Sequence, residues 1–363
     1  MIKMPNNVKT FAEANGSIDL FKAWEDYYNH YKVEQLGKKA SYDTTKSFSE
    51  KTTVLHEAIE KEIAKIAGMN NTKFSEAVWR TNPNYVWATF AVVGNMIDMV
   101  LPDTIIETFD KFAEVKVGGF GDSFAFDISN SDLFIVTKAG NGKRHAFAQR
   151  QYNGQAVLIP ENRMITVEED LYRILAGKRN LAEYATKIAQ SMETELSVDV
   201  YNAINDTYAN LPASFKEASF TQDSFVTLCQ RVTAFNGGAK SVVFGTQLGL
   251  SKIVPTSEYF KMQLGAEYVK TGYLGTFMGT DLFEIPQKAN WRDSNYAMRL
   301  DDTRLYVIST SVNKLVKIAI EGETLTYSDN MIANANLTQT QTMHKKWATG
   351  LISNAKFGII DVA

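Results

Sequence analysis

With 363 residues, 45% of them apolar and 22% charged, the chain can bury a sizeable core, as two packed domains or as one domain with large excursions, and global disorder is excluded. Its formal net charge of −3 lacks the basic excess of a dedicated nucleic-acid binder. A single cysteine, Cys229, excludes an internal disulfide framework and fits folding in a reducing cytoplasm.

Residues 1–8 are polar and lack the apolar core of a secretory signal, so export by that route is not expected. Two amphipathic helices follow. Phe21, Trp24, Tyr28 and Tyr31 mark one apolar stripe, and Leu55, Ile59, Ile63 and Ile66 mark another. Between them the Lys-, Ser- and Thr-rich stretch 37–49 reads as a linker. The region up to residue 80 is expected to be an arm or accessory layer, too poor in apolar residues for a domain of its own. Apolar density rises over 85–101, interrupted by Asn95 and Asp98, which predicts a buried helix and not a membrane span. Pro102 and Asp103 predict a boundary, with a fresh helix starting near Thr104.

Gly118, Gly119 and Gly121 lack the GxGxxG spacing of a dinucleotide loop and lead instead into the alternation of Phe124, Phe126 and Ile128. Strands are predicted over 124–128, 133–138, 144–151 and 155–159, and the Gly140-Asn141-Gly142-Lys143 turn tolerates the positive φ of a tight hairpin. No acidic residue stands between Asp132 and Glu161, whereas Lys138, Lys143, Arg144 and Arg150 do, so this hairpin is cationic. A short strand over 164–167 precedes Glu168, Glu169 and Asp170, which the helix macrodipole favours at the opening of a helix broken again at Gly177. From Asn180 as N-cap, apolar positions recur at Leu181, Tyr184, Ile188, Met192, Leu196, Val200 and Ile204. This predicts one helix of roughly 28 residues, on the order of 40 Å long.

Leu211-Pro212 closes that unit, and an α/β pattern takes over. A helix over 225–235, a stop at Gly237-Gly238, a buried strand over 240–244 and strands over 282–285, 296–300, 305–309 and 315–320 make a second lobe. Cys229 shares a helical face with Phe225, Leu228 and Val232, which predicts a buried structural thiol and not a nucleophile. The strand-like stretch 328–363 is expected to return to the first core.

Taken in order, these parts resemble the major capsid protein of tailed bacteriophages, with its Hong Kong 97 type of shell fold. Residues 180–204 resemble the family's spine helix, directly after a hairpin that resembles its extended loop. Lys240-Ser241-Val242-Val243-Phe244-Gly245-Thr246, with Leu248 and Leu250, resembles the axial-domain strand and the helix behind it. The glycine-punctuated stretch from Tyr273 through Gly275 and Gly279 to Ile285 resembles the turn into a buried strand, and Trp347-Ala348-Thr349-Gly350 onward to Val362 is similar to the closing strands. The resemblance covers residues 80–363 in the order of its elements. It implies an α+β chain: an N-terminal arm or helical extension (1–80), the first part of a peripheral domain (81–120), an extended β-hairpin loop (121–167), the spine helix of the peripheral domain (168–212), an axial α/β domain (213–327) and a return to the peripheral domain (328–363). It also implies a non-enzymatic shell subunit of the virion, assembled in the host bacterial cytoplasm. Copies would form the hexamers and pentamers of an icosahedral or prolate head around non-specifically contacted double-stranded DNA. Scaffolding, portal and decoration proteins are further implied partners, with no membrane and no cofactor. Some family members join subunits through an isopeptide bond from a lysine on this loop. Lys138 or Lys143 would serve here, although a plainly solvated lysine is the simpler reading.

The residues themselves give little to an enzyme. His30, His56, His145 and His344 lack HxxxH or HExxH spacing, and the chain has no GxSxG elbow or phosphate loop. Asp301-Asp302 and Glu321 with Glu323 sit in polar turn contexts where solvated surface is the better reading. Two alternatives stand beside the phage head: an encapsulin-like nanocompartment shell of the same fold, and a two-domain α/β enzyme of unknown substrate. For the shell subunit, the cationic arm is expected to lie over acidic surface of the adjacent copy, with Glu168, Glu169, Asp170, Glu193, Glu195 and Asp199 as the receiving residues. Exposed pairs of this kind contribute roughly 0–1 kcal/mol each, so they would set register more than strength. Trp24, Tyr28 and Tyr31 are expected to bind a neighbour or assembly partner instead of the subunit's own core.

Overall fold

The computed structural model describes residues 4–69, 82–109, 112–130, 132–138, 141, 148–170, 181–255, 257, 268–310, 313–328 and 338–362. The first three helices, α1 (Asn6–Asn15), α2 (Ile18–Leu36) and α3 (Phe48–Ile66), have locally encoded ends. Gly16 and Gly37 adopt the left-handed conformation that closes α1 and α2. Ser47 accepts from the Glu50 amide while Glu50 reaches back to the Ser47 amide, a reciprocal cap that starts α3.

These helices pack as a layer on the main core. Trp24 and Tyr28 are fully buried in the largest apolar cluster of the molecule, together with Met96, Ile97 and Val100. The Trp24 indole donates to the Met96 carbonyl at 2.9 Å. Tyr31 is half-buried against Tyr28, and its hydroxyl accepts from Gln190 at 2.9 Å. Burial in their own core leaves Trp24 and Tyr28 no surface for the neighbour expected to take them, whereas Tyr31 keeps part of its surface. An apolar stripe shows that a helix face needs cover, and here the chain's own later helices supply it.

The apolar stretch forms α4 (Pro83–Phe109), which runs straight through Pro102 instead of ending there. A proline inside a helix costs about 3 kcal/mol, and burial of Val100, Leu101, Ile105 and Phe109 on either side of it offsets that cost. Residues 87–106 are long and apolar enough to cross a membrane, and most of that stretch is buried inside the fold.

Two sheets organise the rest. Strand β1 (Ala113–Gly118) pairs in parallel with β10 (Val316–Ser328), which pairs antiparallel with β11 (Thr338–Leu351), which pairs antiparallel with β4 (Glu161–Asp170). Gln341, Met343, Lys345 and Trp347 alternate inward along β11, towards α4 and the long helix α5 (Leu181–Asn205). The second sheet has six strands in the order β5-β12-β9-β6-β8-β7. These are β5 (Lys216–Glu217), β6 (Ser241–Gly245), β7 (Thr276–Phe277), β8 (Thr280–Glu284), β9 (Arg304–Ser309) and β12 (Gly358–Asp361). Every residue of β6 is buried. Val242 and Phe244 join the main core, whereas Val243 faces a second core under α6 (Gln222–Phe235) with Phe225, Leu228 and Val232. Strand period and double burial together explain the continuous apolar run that marks β6 in the sequence.

Four local expectations change. Glu168, Glu169 and Asp170 open no helix: they extend β4, because β11 continues alongside to Thr338. The strand expected over 315–320 belongs to the first sheet, since its parallel partner β1 lies some 200 positions earlier and leaves no local trace. The C-terminal stretch visits both sheets, β11 in the first and β12 in the second. Residues 296–300 form no strand beyond one bridge, Ala289 to Met298, where Tyr296 turns to a φ of 57°. Side-chain turns at Asn290 and Asp293 set that loop.

One ionic network sits in the core. Asp98, 4% exposed, accepts from Lys345, 3% exposed, at 2.6 Å, and from the amide and hydroxyl of Thr324. Lys345 also donates to the Gly322 carbonyl, inside the register shift of β10 between Glu321 and Leu325. The polar residue that interrupts the apolar run of α4 is thus the point that fixes α4 to the bulge of the sheet.

Candidate functional site

The extended arm begins as a regular hairpin. Strands β2 (Phe124–Ile128) and β3 (Gly154–Leu158) pair antiparallel from Phe124 and Leu158 to Ile128 and Gly154. Its root is held by apolar and ionic contacts at once. Phe124 and Phe126 bury against Ala319, on the face of the four-stranded sheet opposite Ile318 and Ile320. Lys116 lies 4.6 Å over the Phe126 ring and donates to the Ala125 carbonyl. Lys317, with no exposed surface, donates to Glu114 and Asn313 at 2.6 Å each.

Beyond Ile128 the backbone ladder stops. Residues 132–138 and 148–153 carry no strand pairing, so the strands predicted over 133–138 and 144–151 do not form where the structure describes them; residues 144–147 lie outside the described set. Side-chain amides tie the two limbs instead. Gln149 accepts from the Ile135 amide and donates to the Ile135 carbonyl, each at 2.8 Å, and Asn153 accepts from the Asn130 amide at 3.3 Å. A two-stranded ribbon with no sheet beneath it has too little buried surface to enforce a ladder.

The arm exposes apolar surface. Leu133, Ile135 and Val136 are 78%, 74% and 94% exposed, and Phe134, Tyr152 and Ile159 are exposed as well. Isolated exposed apolar residues need no explanation, but four consecutive ones on an extended limb are unusual for a subunit that stays alone. Sequence reasoning that followed charge and hairpin turns missed this feature. Its signal was present: an apolar run without alternation has no hidden face on a two-stranded ribbon. A second exposed apolar row lies on the outer face of the four-stranded sheet, where Leu325 and Met164 flank His344 in register and Tyr327 follows.

The charged residues divide. Lys138 and Arg150 are exposed on the limbs, and Lys143 and Arg144 lie outside the described residues. Glu168 is exposed on β4, whose backbone continues through Glu169 and Asp170. The other three expected receivers are engaged inside their own chain. Glu193 is buried and paired with Lys38 at 3.3 Å. Glu195 is gripped by both terminal nitrogens of Arg299, whose hydrogen bonds hold its carboxyl below the usual glutamate range. Asp199 accepts from the Trp347 indole at 3.0 Å and pairs with Arg163 at 3.5 Å. These pairs tie α5 to its surroundings, and Glu193 is too buried to receive a neighbouring arm.

Burial pushes the Cys229 thiol up to about 11, the reverse of an activated nucleophile. Among the described residues, no group of three or more His, Cys, Asp or Glu side chains is placed to hold a metal ion. Tyr201 and Tyr306, whose hydroxyls lie 2.9 Å apart, are both pushed above the ordinary phenol range by burial, and they join α5 to the six-stranded sheet.

Comparison with known proteins gives this geometry a context. A family described as "SPbeta prophage-derived putative capsid protein YonB" matches residues 32–361. No curated protein sequence matches. Among solved structures, the capsid of a native GTA particle is similar with a TM-score of 0.50 at 9% identity, covering 70% of this chain and 90% of that one. The mature capsid of bacteriophage PhiM1 (TM-score 0.46, 12% identity, 70% and 86% coverage) and a virus-like particle from Pyrococcus furiosus (TM-score 0.41, 8% identity, 72% and 96% coverage) are also similar. The likeness to the GTA capsid shows a shared fold, of the Hong Kong 97 shell type.

Proposed function

The chain belongs to the YonB family of prophage-derived capsid proteins, and from that premise we propose that it builds a virion shell by laying its arm across a neighbouring copy. The observation that carries this reading is the uncovered run Leu133-Phe134-Ile135-Val136 on an arm whose root is firmly fixed. Contiguous apolar surface of this kind marks a site for a partner, and a closed symmetric shell supplies an identical partner to every subunit. Many modest contacts repeated by symmetry then stabilise the particle.

In this proposal apolar burial supplies most of the docking strength, and Lys138 and Arg150, with Lys143 and Arg144, set register against acidic surface that includes Glu168. Hexamers and pentamers of the chain form the head, with the six-stranded sheet as the axial part and the four-stranded sheet with α4 and α5 as the peripheral part. Assembly takes place in the host cytoplasm around double-stranded DNA, helped by scaffolding, portal and decoration proteins. The N-terminal helices act as an integral layer of the peripheral part, since their aromatic residues complete its core.

The test replaces Leu133 and Ile135 together by Asp. Circular dichroism and thermal denaturation of the variant should match the parent, while negative-stain microscopy shows no closed particles. Closed particles of normal appearance from the double variant would reject the docking role of the arm.

A further inference from the structure

A deep groove separates α5 from the inner face of the six-stranded sheet, with a volume of about 1320 Å³. Its floor is apolar, with Phe112, Phe244 and Ile308 among the lining residues. Its rim is cationic: Lys38, Lys39, Lys187, Lys288, Arg292 and Arg299 line it, against two acids, Glu193 and Glu195. Lys38 already neutralises Glu193, and Arg299 neutralises Glu195. Lys39, Lys187, Lys288 and Arg292 line the groove with no ion pair among the described residues, the first two and Arg292 exposed and Lys288 partly buried. Trp291, 89% exposed, stands on the same rim.

We infer that this groove docks an acidic amphipathic helix of a partner protein, its apolar face on the floor and its carboxylates on the rim. The inference concerns a surface away from the arm and does not depend on how the arm is used. Three observations select this occupant. The volume exceeds the roughly 300–1,000 Å³ of sites for small molecules, so a chain segment fits where a metabolite would rattle. A nucleic-acid backbone would engage the cations but has no use for a recessed apolar floor, whereas an amphipathic helix presents apolar and charged faces together. Trp291 and Arg292 on the groove are of the residue types enriched among binding hot spots. Burial also lowers the basicity of Lys288, beside a Glu193 already taken by Lys38. An incoming carboxylate would relieve that cost.

The probe is a synthetic helical peptide with Leu at i, i+3, i+4 and i+7 spacing and Glu at the remaining positions. Its counterpart carries Lys in place of Glu. Binding to the unassembled full-length chain is read by fluorescence anisotropy at low salt. The acidic peptide should bind at least about tenfold more tightly than its lysine counterpart, and its affinity should fall as salt is raised. The double variant Lys187→Glu with Arg292→Glu should reduce acidic-peptide affinity by at least about tenfold. Should that variant misfold, Lys39→Gln with Lys187→Gln provides a milder version with the same expected direction. Failure of the acidic peptide to bind, equal binding of both peptides, or an affinity untouched by the variants would overturn the inference. So would a DNA duplex that competes the peptide away and loses its own binding in the same variants, since the groove would then be a nucleic-acid site.

Discussion

The buried network around Asp98 and the arm around Ile135 are opposite solutions to the same problem of satisfying a chain. At Asp98 and Lys345 both charges are out of water and every strong partner comes from the same molecule: Thr324, Gly322 and each other. At Ile135 the backbone is satisfied by a Gln149 side chain, while Leu133, Ile135 and Val136 stand in solvent. The first region is finished within one subunit. The second leaves apolar surface uncovered, and under the proposed docking of the arm, stability and assembly reside in separate residues and can be broken separately.

The sharpest break is at the network. Lys345→Met leaves Asp98 buried without its counter-charge and should cost about 3–5 kcal/mol. The companion variant that also replaces Asp98 by Leu should recover a substantial part of this, because an apolar pair carries no desolvation penalty. Urea denaturation of the unassembled chain measures both. Trp24→Ala should cost a similar amount, about 3–5 kcal/mol, through the cavity left among α2, α4 and the tyrosines and the loss of the bond to Met96. A loss near zero would restore the N-terminal helices to the status of a detachable arm.

Much of this organisation was legible in the sequence. The helices around Trp24, Ile59 and Ile188, the hairpin root at Phe124 and the buried strand at Val243 all carry their own periodicity, and a period is a local property. What was not legible depends on partners distant in sequence. Nothing near Val316 announces β1 as its parallel neighbour, nothing near Glu168 announces that β11 will extend β4, and nothing near Glu195 announces Arg299. Charge alone made Glu193, Glu195 and Asp199 look like receivers for a cationic arm. Pairing inside the chain, which no window of sequence shows, had already used them. The exposed Leu133–Val136 run was visible as residues but lost among charges that seemed more informative.

A smaller effect probes the seam between the two lobes. The folded-state pKa of Glu195 is lowered, first of all by its hydrogen bonds to Arg299. A depressed carboxylate contributes stability above its unfolded pKa and loses that contribution as pH falls through the folded value. Arg299→Met should therefore reduce stability at about pH 7 by only about 0.5–1 kcal/mol, given the partial exposure of both groups. The difference between parent and variant should shrink as pH falls below the ordinary glutamate range. A difference that grows on acidification would show that the pair does not act in this way.

The smallest expected effect on the chain itself is at the arm, where surface substitutions lie within about 0.5 kcal/mol, and there the consequence for assembly is largest. The account therefore rests on whether the arm is covered in the particle. Hydrogen exchange followed by mass spectrometry, comparing peptides that span residues 132–138 in the unassembled chain and in purified particles, measures this directly. The account predicts rapid exchange in the free chain and strong protection in particles, with peptides around Asp98 and Lys345 protected equally in both. Rapid exchange of residues 132–138 in intact particles would contradict it.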